Sequence, residues 1–165
     1  MNEKTVTIDY LYLDLQSCDR CIGTDVVLEE VIAGLTPVLE QAGYIIEYHK
    51  IEMKTADIAT KYQFLSSPTI RVNGQDICTT ITENSCGCCS DISGSAVDCR
   101  VFVYEGHSYE VPPKEMLVKG ILEAVFTTTK TTRNDRNTLP DNLYRFFNGK
   151  IKKSACCSSS DCYNQ

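Results

Sequence analysis

Apolar and polar residues alternate over residues 5–15. Val6, Ile8, Tyr10 and Tyr12 fall on one side, and Thr7, Asp9, Leu11 and Leu13 on the other. A period of two with β-branched and aromatic residues predicts a strand. The leucines near its end predict burial on both faces, as in the central strand of an α/β sheet. The period then changes. Val27, Leu28, Val31, Ile32, Leu35, Val38 and Leu39 recur every three or four residues. They predict a helix capped by Thr24 or Asp25, running to about residue 42 and stopped by Gly43. Pro37 lies inside it and is expected to kink or interrupt it. Residues 45–53 predict a second strand. Residues 55–62 predict a short helix with Ala56, Ile58, Ala59 and Tyr62 facing inward. Pro68 opens a further strand, a position that sheets tolerate, and Asn73-Gly74 marks a turn at its end.

Beyond this turn the periodicity fades. Residues 75–99 are rich in Ser, Gly, Asp and Cys and predict a long inserted loop, a feature that usually carries function. Residues 100–104 and 108–111 predict a hairpin about Glu105-Gly106-His107. Pro112-Pro113 leads into a helix over 114–126, with Met116, Leu117, Ile121, Leu122, Val125 and Phe126 on its apolar face. Residues 127–139 are polar and predict a linker. Residues 140–147 form a short amphipathic piece, and 150–165 a polar tail. The expected organisation is one domain over 1–126 with a cysteine-rich insertion at 75–99, then a linker and cysteine-containing tail over 127–165.

Charge narrows the classes of partner. The net charge is −6, but residues 1–126 hold 9 basic and 19 acidic side chains and residues 127–165 hold 7 and 3. An acidic body argues against nucleic acid as the main partner. No apolar run approaches the length of a membrane span, so no membrane insertion is expected. Residues 1–5 lead straight into a strand pattern without the basic-then-apolar layout of a secretory signal, and a cytoplasmic protein is the expectation.

The candidate chemistry is in ten cysteines. Without an export signal, such a number points to metal binding or catalysis more than to disulfides. Cys18 and Cys21 flank Asp19-Arg20 between a strand and a helix. The helix dipole there favours a thiolate, which is both a nucleophile and a soft-metal ligand. Cys86, Cys88 and Cys89 form a second group, with Cys78 and Cys99 nearby and Gly87 allowing a tight fold. Three thiols in four residues cannot share one strand face. Zinc takes four tetrahedral ligands, usually from separated pairs, so this spacing makes zinc the weaker expectation. It suits a soft ion of low coordination number or a disulfide relay, and one structural disulfide with free thiols is the plainer alternative. Cys156, Cys157 and Cys162 form the third group, as Cys-Cys-x-x-x-x-Cys. A trivalent, pyramidal, soft ion needs three thiolates and no fourth ligand. His49 and His107 lack ligand spacing to any cysteine and are expected in ordinary roles. There is no glycine-rich phosphate loop, Ser/His/Asp spacing or basic–aromatic patch.

Strand, Cys-x-x-Cys, helix, strand, helix and then Ser67-Pro68-Thr69 before a strand resembles the thioredoxin superfamily over about residues 5–126. The resemblance implies an α/β, thioredoxin-like fold with a cysteine-rich inserted loop and a C-terminal extension. It implies Cys18 as the attacking cysteine, Cys21 as the resolving one and Pro68 as a cis proline beside them. Asp-Arg between the thiols departs from the Gly-Pro of thioredoxins and the Pro-Tyr type of glutaredoxins. The tail motif resembles the tri-cysteine site of bacterial arsenic metallochaperones, which implies binding of trivalent arsenic or antimony and a hand-over to an efflux protein. The leading expectation is a cytoplasmic protein that binds or transfers soft metal(loid) ions in detoxification. The second is a thiol–disulfide oxidoreductase acting on a partner protein through Cys18 and Cys21. The third is a non-catalytic module whose cysteine loop holds zinc or an iron–sulfur cluster.

Overall fold

The computed structural model describes residues 3–78, 80–127 and 138–158, the last three as backbone only. The alternating stretch forms β1 (Lys4–Tyr12), and the amphipathic stretch α1 (Asp19–Gln41). Next come β2 (Tyr44–Glu52), α2 (Ala56–Lys61), β3 (Thr69–Val72) and β4 (Gln75–Asp76). Then follow β5 (Thr82–Ser85), α3 (Gly87–Ser93), β6 (Asp98–Tyr104) and β7 (His107–Tyr109). Two helices, α4 (Lys114–Phe126) and α5 (Asp141–Ser158), complete a mixed α/β structure with two sheets.

The larger sheet has the order β2-β1-β3-β4. β2 is parallel to β1, which requires a crossover, and α1 provides it. β3 is antiparallel to β1. Val6, Ile8 and Tyr10 of β1 bury against Leu28, Val31, Ile32, Leu35 and Leu39 of α1 and Leu117 and Ile121 of α4. Leu11 and Leu13 belong to a second core, shared with Met53, Phe64 and five buried cysteines. β1 therefore connects an aliphatic core to a sulfur-rich one.

α1 starts at Asp19, several residues before the expected caps. The Asp14 carboxylate turns the chain into it by accepting the backbone N–H groups of Ser17 at 2.6 Å and Cys18 at 3.2 Å. Cys18 is the N-cap, and Ile22 N–H closes the first turn on its carbonyl at 2.9 Å. This turn buries Arg20, Cys21 and Thr24, residues that a hydrophobic pattern does not flag. Pro37 does not interrupt the helix. The carbonyl that it leaves without an N–H partner belongs to Ala33 on the exposed face, where water can serve it.

Residues 75–99 are not a loop. β4 pairs with β3 directly across Asn73 (φ 52°) and Gly74 (φ 80°), both left-handed as a two-residue hairpin turn requires. The inserted segment therefore starts after β4 and not at residue 75. β5, α3 and the start of β6 lie within residues 75–99, and β5, β6 and β7 form a second, antiparallel sheet with α3 between β5 and β6. Thr-Glu-Asn-Ser is no strand by composition; its pairing with β6 makes it one. α3 ends on Gly94 at φ 71°.

The C-terminal extension also differs from the expected short piece and tail. α5 is an 18-residue helix. Leu139, Leu143, Phe146 and Phe147 bury in the sulfur-rich core. Asn142 accepts the Asp98 N–H at 2.7 Å and donates to the Asp98 carbonyl at 2.7 Å, which pins α5 to β6. Gly149 lies so close to α3 that a Cβ there would collide with the Ser93 carbonyl. None of the described helices is long and apolar enough to cross a membrane.

Candidate metal centre

Four thiols from three elements converge. Cys18 is the N-cap of α1 and Cys86 the N-cap of α3; Cys89 lies one turn into α3, and Cys99 lies in β6. Their sulfur atoms all lie within 4.8 Å of one another, and all four residues are buried. Cys89 Sγ is 3.8 Å from Cys18 Sγ and 3.4 Å from Cys99 Sγ. A tetrahedral ion with metal–sulfur bonds of about 2.3 Å has sulfur–sulfur edges of about 3.8 Å. The set has the size of a single-ion shell, and these four close, buried cysteines could hold a metal ion. An iron–sulfur cluster spreads its thiolates over separate irons and needs a wider cage. Cys18, Cys21, Cys78, Cys86, Cys88, Cys89 and Cys99 are all free thiols.

Two buried arginines organise the scaffold. Arg20 of α1 donates to the Ser85 carbonyl at 2.8 Å, to the Cys99 carbonyl at 3.2 Å and to Glu110 Oε1 at 2.9 Å. It thus fixes the residue before one thiol and the backbone of another. Cys86 N–H adds a bond to the Val97 carbonyl at 2.9 Å, closing the path between α3 and β6. Arg100 follows Cys99 and is fully buried. It donates to Asp76 Oδ2 at 2.7 Å and to the carbonyls of Cys78 at 2.8 Å and Thr80 at 3.3 Å. Its backbone N–H reaches the Ser67 carbonyl at 2.7 Å. The small sheet is thereby tied to the large one beside the thiols.

The thiols share charge unequally. Hydrogen bonds from Cys21, Cys86, Cys89 and Cys99 stabilise a Cys18 thiolate and hold its pKa far below the usual thiol range, against the opposing effect of burial. Cys89 and Cys99 are pushed up, first by their hydrogen bonds to Cys18, then by those to Cys86. Its bond to Cys18 raises Cys86, but bonds from Cys89 and Cys99 outweigh this and bring it down to about 7. Four buried thiolates together would be very costly without a cation. A soft cation supplies the charge that lets all four ionise.

The other predicted residues fall outside this set. Cys21 is buried behind Cys18, with Sγ 3.5 Å from Ser67 Oγ and its carbonyl accepting the Tyr10 hydroxyl at 2.6 Å. Its thiol is pushed up, first by donation to Cys18 and then by burial. The Ser67–Pro68 bond is cis, as expected. Cys88 is half-buried and its thiol turns to Asp19 Oδ2 at 3.8 Å. Cys78 is buried apart from the four, its thiol pushed up to about 11 by burial. The backbones of Cys156 and Cys157 end α5; their side chains and all of Cys162 lie outside the described residues. His49 faces Asp9 at 3.0 Å and His107 the Glu105 carbonyl at 3.1 Å, both exposed. The sequence reading thus joined Cys18 to Cys21 alone and missed that Cys18 completes the second group. That fourth ligand removes the objection to tetrahedral coordination. Cys86-x-x-Cys89 repeats the spacing of Cys18-x-x-Cys21, a signal hidden by Cys88 between them. Arg20 and Arg100 were also missed, since no local pattern shows which carbonyls an arginine will meet.

A family model described as a domain of unknown function (DUF2703) matches residues 6–121. This span contains all four converging thiols and both arginines. No curated protein and no solved structure matches the chain.

Proposed function

The chain belongs to the DUF2703 family, a domain of unknown function, and we propose that it binds one soft metal ion through Cys18, Cys86, Cys89 and Cys99. The observation that carries this reading is the mutual approach of four buried sulfur atoms within 4.8 Å. Four thiolates suit a divalent ion of the zinc type, zinc or cadmium, better than trivalent arsenic or antimony, which would use three and leave one over. On this reading arsenite capture belongs to Cys156, Cys157 and Cys162, whose spacing carries it from the sequence alone. A closed, buried four-thiolate shell has no open position for a substrate, so the ion is retained and not a hydrolytic catalyst. The sheet order β2-β1-β3-β4, with β1 and β2 parallel and Cys18 heading the crossover helix, supports a thioredoxin-like body around this centre.

Titration of the reduced chain without oxygen tests the proposal, using zinc, cadmium and arsenite and counting free thiols. Zinc and cadmium are expected to bind one per chain and protect four thiols, and Cys18→Ser or Cys99→Ser to abolish this. A chain that binds neither ion, or a Cys99→Ser variant that binds as the parent does, sinks the reading.

A further inference from the structure

We infer that Cys18 serves two mutually exclusive states, as a ligand to the ion and as half of a disulfide with Cys21, and that forming the disulfide expels the ion. The inference rests on the metal-binding reading above. Its basis is the position of Cys21. That residue is outside the ligand set, yet it lies in the first turn of the helix that Cys18 caps and is buried with Cys18 in the sulfur-rich core. N-cap and third helical residue are three positions apart, the spacing that places two side chains on the same face of a helix end. Ser67 Oγ, 3.5 Å from Cys21 Sγ, and the Tyr10 hydroxyl on the Cys21 carbonyl hold the residue in this place. Once an ion takes Cys18, Cys86, Cys89 and Cys99, three described thiols remain. Cys88 faces Asp19 and Cys78 lies apart, which leaves Cys21 as the described free thiol one helical turn from a ligand and buried with it.

The centre is closed, so the oxidant must be small, and a hydroperoxide fits. The Cys18 sulfur attacks a peroxide oxygen; an S–O bond forms, the O–O bond breaks, and the leaving oxygen departs as hydroxide. The Cys21 sulfur then attacks Cys18. An S–S bond forms, the S–O bond breaks, and a second hydroxide leaves. Protons from Cys21 and from solvent convert both to water. Two sulfur atoms have given up two electrons, and one hydrogen peroxide has become two waters. The ion is left with three thiolates and an open side. A dithiol reductant reverses the change by exchange.

The test uses the full chain loaded with one zinc, treated with one equivalent of hydrogen peroxide beside a chromophoric zinc chelator. Disulfides are mapped by mass spectrometry. The parent is expected to release its zinc and to form Cys18–Cys21, with binding restored by dithiothreitol. Cys21→Ser is expected to bind one zinc, which also shows that it is folded, and to release it about tenfold more slowly for want of the second thiol. Cys88→Ser should behave as the parent. Equal release from Cys21→Ser, a disulfide mapped to Cys89–Cys99, or protection by Cys88→Ser would each overturn the switch while leaving the metal reading intact. A reduced parent that binds no zinc overturns both.

Discussion

Arg20 and Cys99 are separated by 79 positions in the chain, and the Arg20 guanidinium donates to the Cys99 carbonyl at 3.2 Å. Its other terminal nitrogen holds the Ser85 carbonyl at 2.8 Å, next to Cys86. One planar, rigid fork therefore sets the spacing of two ligand-bearing segments against the helix that carries Cys18. A lysine has one point charge and cannot span both carbonyls. Arg20→Lys is expected to keep the fold and to weaken zinc binding about 10–100-fold, the usual effect of losing an outer-shell partner. Competition against a chelator of known affinity measures it, and a change under about twofold would show that the clamp is dispensable. Glu110, the third partner of Arg20, is 63 % exposed at its side chain, so Glu110→Gln should change little.

Arg100 is the second cross-link. Its side chain is fully buried and its counter-charge, Asp76, is 27 % exposed. Breaking a wholly buried pair costs about 3–5 kcal/mol, and solvent beside Asp76 screens part of that. Asp76→Asn keeps an acceptor for the Cys78 N–H, but it removes the charge and turns an NH2 toward Arg100 where Oδ2 accepted. We expect it to destabilise the chain by about 2 kcal/mol, seen as a lower denaturant midpoint at unchanged slope. An unchanged midpoint would mean that the carbonyls of Cys78 and Thr80 suffice to hold the guanidinium.

Gly149 sets how closely α5 approaches α3. A methyl group there meets the Ser93 carbonyl, which is backbone and cannot turn aside. Gly149→Ala is expected to cost about 1–3 kcal/mol, as overpacking does, despite alanine's better helix propensity. The loss should be local. Hydrogen exchange should speed up in α5 and around Leu143, Phe146 and Phe147 while β1 stays protected. Uniform loss across the chain, or a gain in stability, would contradict the close packing of these two helices.

Elements held by local patterns were legible in the sequence. The alternation through Val6, Ile8 and Tyr10, the stripe through Leu28, Ile32, Leu35 and Leu39, and the Asn73-Gly74 turn each announce their structure over a few residues. What was not legible depends on partners far away. Thr82 to Ser85 carries no strand signal, and becomes β5 through its ladder with β6. The apolar residues Leu143, Phe146 and Phe147 were visible, but the polar second half of α5 hid the helix that they anchor. The site was legible as chemistry and not as geometry. All four ligands stood among the candidate cysteines, yet only the β5–β6 ladder and the Arg20 fork bring Cys99 and Cys86 to Cys18. Cys78 and Cys88, close in sequence to the set, are turned away from it by Arg100 and Asp19 environments that spacing does not encode.

Proton release on loading should show a break near neutrality. Ligation requires thiolates, so each protonated ligand must lose its proton to bind an ion. In the ion-free chain Cys18 is already a thiolate, while Cys89 and Cys99 stay protonated well above the ordinary thiol range. Cys86, brought down to about 7, divides the two regimes. Above that pH it is already ionised, and zinc displaces about two protons, from Cys89 and Cys99. Below it Cys86 adds a third. The sign follows: affinity rises with pH throughout, by about three powers of ten per pH unit on the acid side and about two on the alkaline side. Zinc addition in weakly buffered solution with a pH-stat counts these protons directly. Release of four protons at both pH 6 and pH 8 would mean that neither Cys18 nor Cys86 is ionised beforehand. The unequal sharing of charge among the four sulfur atoms would then be wrong, even with the ion bound where it is proposed.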